Sequence, residues 1–101
     1  MGMIRMSVYY RAPDDPEAFE KRYLEGHLPL VQKYEKMESC TFNKTTRTLQ
    51  GEFPYAYSFV GLWNSKDDWK ADLSSEQAKI ATEDAKSFAP PFDVVVFEQL
   101  S

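Results

Sequence analysis

The sequence predicts an α+β fold of order βαββαβ, and three patterns carry that prediction. Residues 3–11 alternate, with Ile4, Met6, Val8 and Tyr10 on one side and Arg5, Ser7, Tyr9 and Arg11 on the other, which is the period of a strand. Phe19, Tyr23, His27, Leu30, Val31, Tyr34 and Met37 recur at helical spacing and share one face. Segments 54–63 and 92–100 carry strand-forming apolar residues on both of their faces.

The elements follow in order. Ala12-Pro13-Asp14-Asp15-Pro16 ends the first strand. Asp15 can cap a helix whose first position is Pro16, where a missing N–H costs nothing, and Glu17 and Glu20 suit the positive end of the helix dipole. His27 looks inward on that helix. Pro29 removes a hydrogen bond and crowds the preceding turn, and Gly26 loosens it, so the helix should kink or restart over residues 25–29. Residues 38–48, rich in Thr, read as a second strand, and a turn centred on Gly51 leads into a third at 54–63. On that third strand Tyr55, Tyr57, Phe59 and Trp63 should share a face opposite Ala56, Val60 and Leu62. Ser65 followed by Asp68 starts a short helix with Trp69 and Leu73, and Ser74-Ser75 interrupts before Glu76 begins another. Ala78, Ala81, Ala85 and Phe88 stripe this last helix, Pro90-Pro91 stops it, and a final strand runs over 92–100.

This order is the split βαβ pattern of a ferredoxin-like sandwich, and right-handed crossovers place the helices on one face of a four-stranded sheet. The other face is left bare. Such a face is normally polar, yet the third strand carries apolar residues on both faces, as does the last, with Val95 and Phe97 opposite Phe92, Val94 and Val96, so a second copy packing sheet to sheet is the simplest cover. A homodimer is therefore expected.

At 101 residues the chain is expected to form one domain, residues 1–101, with 43% hydrophobic and 15% aromatic content marking a folded globule. Net charge −4 with scattered cations gives no basic stripe for phosphates, so nucleic acid is not an expected partner. Cys40 is the single cysteine, which points to a reducing cytoplasmic setting and to a small buried hydrophobe. The first residues lack the apolar run of a secretion signal, and the run Val94–Phe97 is far short of the about 20 apolar residues that span a bilayer. No membrane association is expected. One histidine, one cysteine and scattered acids form no metal-ligand spacing, and isolated Gly51 and Gly61 form no phosphate loop, so neither metal nor cofactor is implied.

His27 is the one group whose unperturbed pKa, roughly 6.5, suits proton transfer near neutrality. A histidine on a buried helix face is more often a hydrogen-bonded core residue. Asp84, which flanks the Ala81–Phe88 stripe, is the carboxylate that could meet it, although a helix acid is more commonly exposed. Tyr10 and Tyr57 could orient a carbonyl or hydroxyl through their phenols, or simply pack the core.

The strand ending Tyr9-Tyr10-Arg11, the helix carrying Phe19 and Tyr23 ahead of His27-Leu28-Pro29-Leu30, the third strand ending Leu62-Trp63-Asn64-Ser65, and Glu83-Asp84-Ala85-Lys86-Ser87-Phe88 together resemble the EthD family. The resemblance spans nearly the whole chain, and His27-Leu28-Pro29 is its most distinctive piece. The family name comes from ethyl tert-butyl ether degradation. The resemblance implies a dimeric α/β barrel, a fold it shares with methylmuconolactone methylisomerase, small cofactor-free monooxygenases and polyketide cyclases. It implies that His27 projects into a cavity between helices and sheet as a proton-transfer group, with Tyr10, Tyr23, Tyr57, Trp63 and Asp84 as candidate contacts to a hydrophobic carbonyl-bearing or phenolic molecule. The same arrangement would serve a binding or accessory protein in which His27 only donates a hydrogen bond.

Overall fold

The alternation of residues 4–10 becomes the inner strand of a four-stranded antiparallel sheet in a computed structural model that describes residues 2–101. Met1, the first residue of the stretch read for a secretion signal, lies outside the described residues. The strands are β1 (Ile4–Tyr10), β2 (Ser39–Lys44), β3 (Tyr57–Trp63) and β4 (Phe92–Glu98), in spatial order β2-β3-β1-β4. Registers Tyr10↔Tyr57, Val8↔Phe59 and Ile4↔Trp63 put the larger side chains of both inner strands on one face, and Phe42↔Phe59 extends that face to β2. The ferredoxin-like α+β expectation is met.

The helices α1 (Pro16–Arg22), α2 (Leu28–Val31), α3 (Lys66–Leu73) and α4 (Glu76–Phe88) cover that face. Two caps read from the sequence form as hydrogen bonds, Asp15 Oδ1 accepting from Ala18 N at 3.2 Å and Ser65 Oγ from Asp68 N at 3.1 Å, and the break at Ser74-Ser75 supplies a third, Ser75 Oγ accepting from Ala78 N at 3.2 Å. Between α1 and α2 the kink takes the form of one turn of π-helix, Tyr23–His27, closed by Leu28 N–H donating to the Tyr23 carbonyl. The cause is Pro29. It has no N–H for the Glu25 carbonyl and its ring would strike that oxygen in a regular helix, and widening the turn moves the carbonyl aside.

Helix one ends earlier than its apolar spacing suggested, at Val31. Lys33 and Tyr34 close tight turns onto the Leu30 and Val31 carbonyls, and Lys36 N–H is captured by the buried carboxylate of Asp72 at 3.2 and 3.1 Å. Tyr34 and Met37 still pack inward, from a turn and not from a helix. The second and third strands are also shorter than expected, joined by a loop over 45–56 with Gly51 at φ +82°. Because regular pairing starts only at Tyr57, Tyr55 leaves the face of Tyr57 and Phe59. Its ring lies 5.5 Å from that of Tyr9 and its hydroxyl donates to Asp93, both on the opposite face of the sheet.

Two apolar groups fill the space under the helices. The larger contains Tyr10, Phe19, Tyr23, Tyr57 and Phe59, with the Phe42 ring stacked on Tyr23 at 3.8 Å and on Tyr57 at 5.6 Å. The smaller centres on Trp63, 0% exposed, with Ile4 and Met6. Full burial of each such ring contributes about 2–3 kcal/mol. The helix layer does not reach the edge strand: Val94 and Val96 point to the helix side of β4 yet are 51% and 44% exposed. On the other face Val60 and Leu62 of β3 and the exposed Val95 and Phe97 of β4 flank Ser7 and Arg5 of β1, with Thr41 and Asn43 of β2 at the far edge.

Asp72 fixes the end of the fold opposite the π turn, accepting from Trp63 Nε1 at 2.8 Å as well as from Lys36 N–H. Replacing Asp72 by Ala leaves a buried indole N–H and a backbone N–H without acceptors. Asp72→Ala is expected to lower stability by roughly 2–4 kcal/mol in urea denaturation. A loss under about 0.5 kcal/mol, the size of an ordinary surface change, would contradict this role.

Candidate functional site

The π turn places Tyr23 and His27 on the buried side of the first helical layer, facing α4. His27 is 4% exposed, and its Nδ1 lies 3.0 Å from Asp84 Oδ2. Asp84 also receives both terminal nitrogens of Arg22, at 2.5 Å to Oδ1 and 3.3 Å to Oδ2, a bidentate clamp between α1 and α4. The guanidinium lies over the Phe88 ring, 4.3 Å from its centroid. It also explains Gly26: a Cβ built there would stand 2.5 Å from Arg22 Nη1, so a side chain at 26 would displace the guanidinium.

The electrostatics of the trio are self-consistent. Arg22, hydrogen-bonded to the carboxylate, holds Asp84 below the usual carboxylate range, and Asp84 in turn raises Arg22. Burial pushes His27 below its ordinary value; the Asp84 hydrogen bond and charge oppose this, and the Arg22 charge adds to the depression. His27 is therefore neutral at pH 7. An ionised carboxylate can only accept, so the Nδ1 facing it carries the proton and Nε2 keeps its lone pair.

His27 is also a wall of a cavity of about 140 Å³ between helices and sheet. Tyr10, Tyr23, Tyr34, Phe59 and Phe92 line it with His27, and Thr82 of α4 and the exposed Val94 of β4 stand at its outer side. A cavity of about 150 Å³ with apolar walls takes benzene, so this one has room for a single ring. A larger groove of about 490 Å³ lies beyond Phe88, along Ala12–Asp15 and Phe88–Pro91. It contains neither His27 nor any of the tyrosines, and the smaller cavity is where the chemistry converges.

Of the residues expected at the site, the structure gathers His27, Tyr10, Tyr23 and Asp84. The Tyr10 and Tyr23 hydroxyls are 3.5 Å apart, and burial pushes Tyr10 up to about 12 and Tyr23 higher still. Tyr57 and Trp63 do not line the cavity. The Tyr57 hydroxyl donates to Glu20 Oε2 at 2.5 Å, away from His27, and burial with that bond raises Tyr57 to about 12. Trp63 is spent on Asp72. Two residues were missed. Arg22 looked like an ordinary basic residue in a last helical turn, and only the gap it fills at Gly26, one turn on, hints at it. Tyr34 was read as helix-face packing. Among the described residues no group of three His, Cys, Asp or Glu side chains could hold a metal ion, and no helix is long and apolar enough to cross a membrane.

No protein-family model matches the chain. It is similar to an uncharacterized 11.0 kDa protein from the thcB-thcC intergenic region of Rhodococcus erythropolis, 32% identical over 88 residues, which are 86% of this chain and 84% of that one. Among solved structures, an EthD family protein of Bacillus halodurans C-125 superposes with TM-score 0.88 at 19% identity, covering 97% of this chain and 99% of that one. A dimeric ferredoxin-like protein of unknown function from Thermobifida fusca YX gives TM-score 0.72 at 16% identity over 97% and 92% of the two chains. SnoaB of Streptomyces nogalater, a cofactor-independent oxygenase, gives 0.73 at 9% identity over 100% and 96%.

The depressed His27 value makes stability depend on pH. The unfolded chain binds a proton at roughly 6.5 that the native state refuses, so this contribution is fully present above that pH and is lost as the pH falls through the folded value. Thermal denaturation should show Tm declining below pH 6.5, with that part of the decline absent in His27→Gln. Arg22→Gln should raise the His27 pKa, read from its imidazole proton shifts by NMR, because Asp84 then acts unopposed. An unchanged or lower value in Arg22→Gln would remove Arg22 from the account.

Proposed function

We propose that this chain, which shares the fold of a solved EthD family protein, belongs to that family and is a small-molecule enzyme whose own side chains move a proton, with His27 as general base. The observation that carries the reading is a neutral imidazole locked by Asp84 in the tautomer that leaves Nε2 basic, on the wall of an apolar cavity. A base in that position can take a proton from carbon next to a carbonyl or from a phenolic hydroxyl. Asp84 stabilises the imidazolium that forms, and Arg22 keeps Asp84 ionised and in place. Isomerisation, cyclisation and cofactor-free oxygenation of a hydrophobic carbonyl-bearing or phenolic molecule all begin with this step. The shared fold with a cofactor-independent oxygenase supports that range. Tyr10 and Tyr23 contact the ligand in this reading, whereas Tyr57 and Trp63 act from behind, as supports of the cavity walls. The single, half-buried Cys40 suits a reducing cytoplasmic setting.

We also propose that the protein works as a homodimer joined through the outer sheet face. The exposed Val95 and Phe97 on the outer face of the edge strand, with Val60 and Leu62 on the far side of β1, favour this, as does the similarity to a dimeric ferredoxin-like protein. Sedimentation should give twice the chain mass at micromolar concentration, and Phe97→Asp should shift the protein to monomer. A wild-type monomer under those conditions would sink the sheet-to-sheet arrangement.

The base can be tested before a natural substrate is known. In deuterium oxide the protein should accelerate exchange of the α-protons of small cyclic ketones, followed by NMR, and His27→Gln should lose about 10²- to 10⁴-fold of that rate. Asp84→Asn should lose activity as well, since the amide can stabilise the other tautomer. Exchange that persists in His27→Gln rules out the base, and ketones that bind without exchanging would instead support a non-catalytic binding protein.

A further inference from the structure

The phenols of the cavity hold more hydrogen-bonding capacity than the chain uses. Tyr10 is 2% and Tyr23 1% exposed, and their hydroxyls share one long contact of 3.5 Å. Two hydroxyls joined by one bond leave one proton spare, whichever of them donates. Tyr34 lines the same cavity from the turn after α2, and its hydroxyl makes no hydrogen bond among the described residues. All three phenols line the one cavity, with the hydroxyls of Tyr10 and Tyr23 3.5 Å apart. Buried hydroxyls are normally satisfied, yet Tyr23 keeps a spare proton on the wall of a largely apolar cavity, and the half-buried Tyr34 adds a second hydroxyl to that wall.

We infer that Tyr23, backed by Tyr10, and Tyr34 form a two-donor seat for the oxygen of a one-ring phenol or enol, bound in its ionised form. This deepens the proposed function and rests on it, because the ring's proton is the one His27 removes. The substrate O–H bond breaks, the proton passes to His27 Nε2, and the electron pair stays on the oxygen, where the phenol O–H groups donate to it. Arg22 and Asp84 complete the charge balance: Asp84 faces the new imidazolium and Arg22 faces Asp84. The tyrosines suit this task because burial keeps them protonated, and so donors, across the neutral range. The volume of about 140 Å³ limits the ligand to one ring with small substituents. Neutral donors of this kind, placed where charge develops, act as the donors of an oxyanion site do.

The test uses 4-nitrophenol, a one-ring phenol whose anion is yellow and which ionises near neutral pH. Above the probe's own pKa, solution supplies the anion, and binding reports the phenol seat alone. Tyr23→Phe and Tyr34→Phe should each weaken phenolate binding about tenfold while leaving Tm within the range of ordinary surface variants. His27→Gln should change binding there by much less. Below the probe's pKa the wild type should bind it with the anion's colour, enriched about tenfold over free probe, a shift of about one pKa unit, and His27→Gln should lose that colour. Equal phenolate affinity in both Phe variants, preference for the neutral phenol, or no binding to the wild type overturns the seat. Colour retained in His27→Gln with binding still lost in the Phe variants overturns the base and leaves the seat standing.

Discussion

A single absent hydrogen, the N–H that proline lacks at position 29, sets the geometry on which the arrangement of Tyr23, His27 and Arg22 depends. A regular helix through residues 16–31 would keep a uniform turn, and the Glu25 carbonyl would sit against the Pro29 ring. The chain answers with one wide turn, and the residues of that turn are Tyr23 to His27. Tyr23 and His27 are four apart and both buried, their rings 4.9 Å apart, so the turn delivers a phenol and an imidazole to the same space. Gly26 within it leaves room for Arg22 to lie back along the helix and meet Asp84. Backbone irregularity and side-chain chemistry are thus one arrangement.

The clamp among Arg22, Asp84 and His27 ties the first helical layer to the last, over 62 and 57 residues of sequence. Its charges cancel when His27 is neutral, which lets an ionised Asp84 sit under a helix at small cost. An Asp beside a buried histidine would ordinarily favour the imidazolium. Here burial outweighs that preference, and the Arg22 charge adds a smaller push in the same direction, so the free base is favoured. The Arg22 stack on Phe88 holds the cation at the rim, between water and the imidazole.

The elements were legible wherever a local rule is strong. Strand alternation, the Asp15-Pro16 start, the Ser65 cap and the break at Ser74-Ser75 appear where the sequence indicates, because each depends on neighbours within a few residues. The facing of His27 and the candidacy of Asp84 were legible from helical period. Which polar group meets which was not. Period shows that Tyr57 and Trp63 point inward, but the partners Glu20 and Asp72 are chosen by packing between layers, and those partners turn both residues from the cavity. Tyr55 was misplaced because period counts residues, and the irregular backbone before Tyr57 broke the count. Arg22 was hidden for the same reason as Glu20: its bond crosses the fold. Tyr34 was assigned to a helix that Asp72 ends early by drawing off the Lys36 amide.

The shortfall of the helix layer over β4 has a kinetic side. The walls of the cavity at its outer limit, Thr82 and Val94, belong to α4 and to an edge strand hydrogen-bonded on one side only, to β1. Edge strands and the last helix of a small domain open locally at far less cost than the core. A ligand of the proposed kind would therefore come and go by a small parting of α4 from β4, with the inner strands undisturbed. The sheet itself stands between this doorway and the opposite face, so two chains meeting through that face would leave both doorways on the outside. Each copy would load and empty at its own rate, and occupancy of one would carry no message to the other.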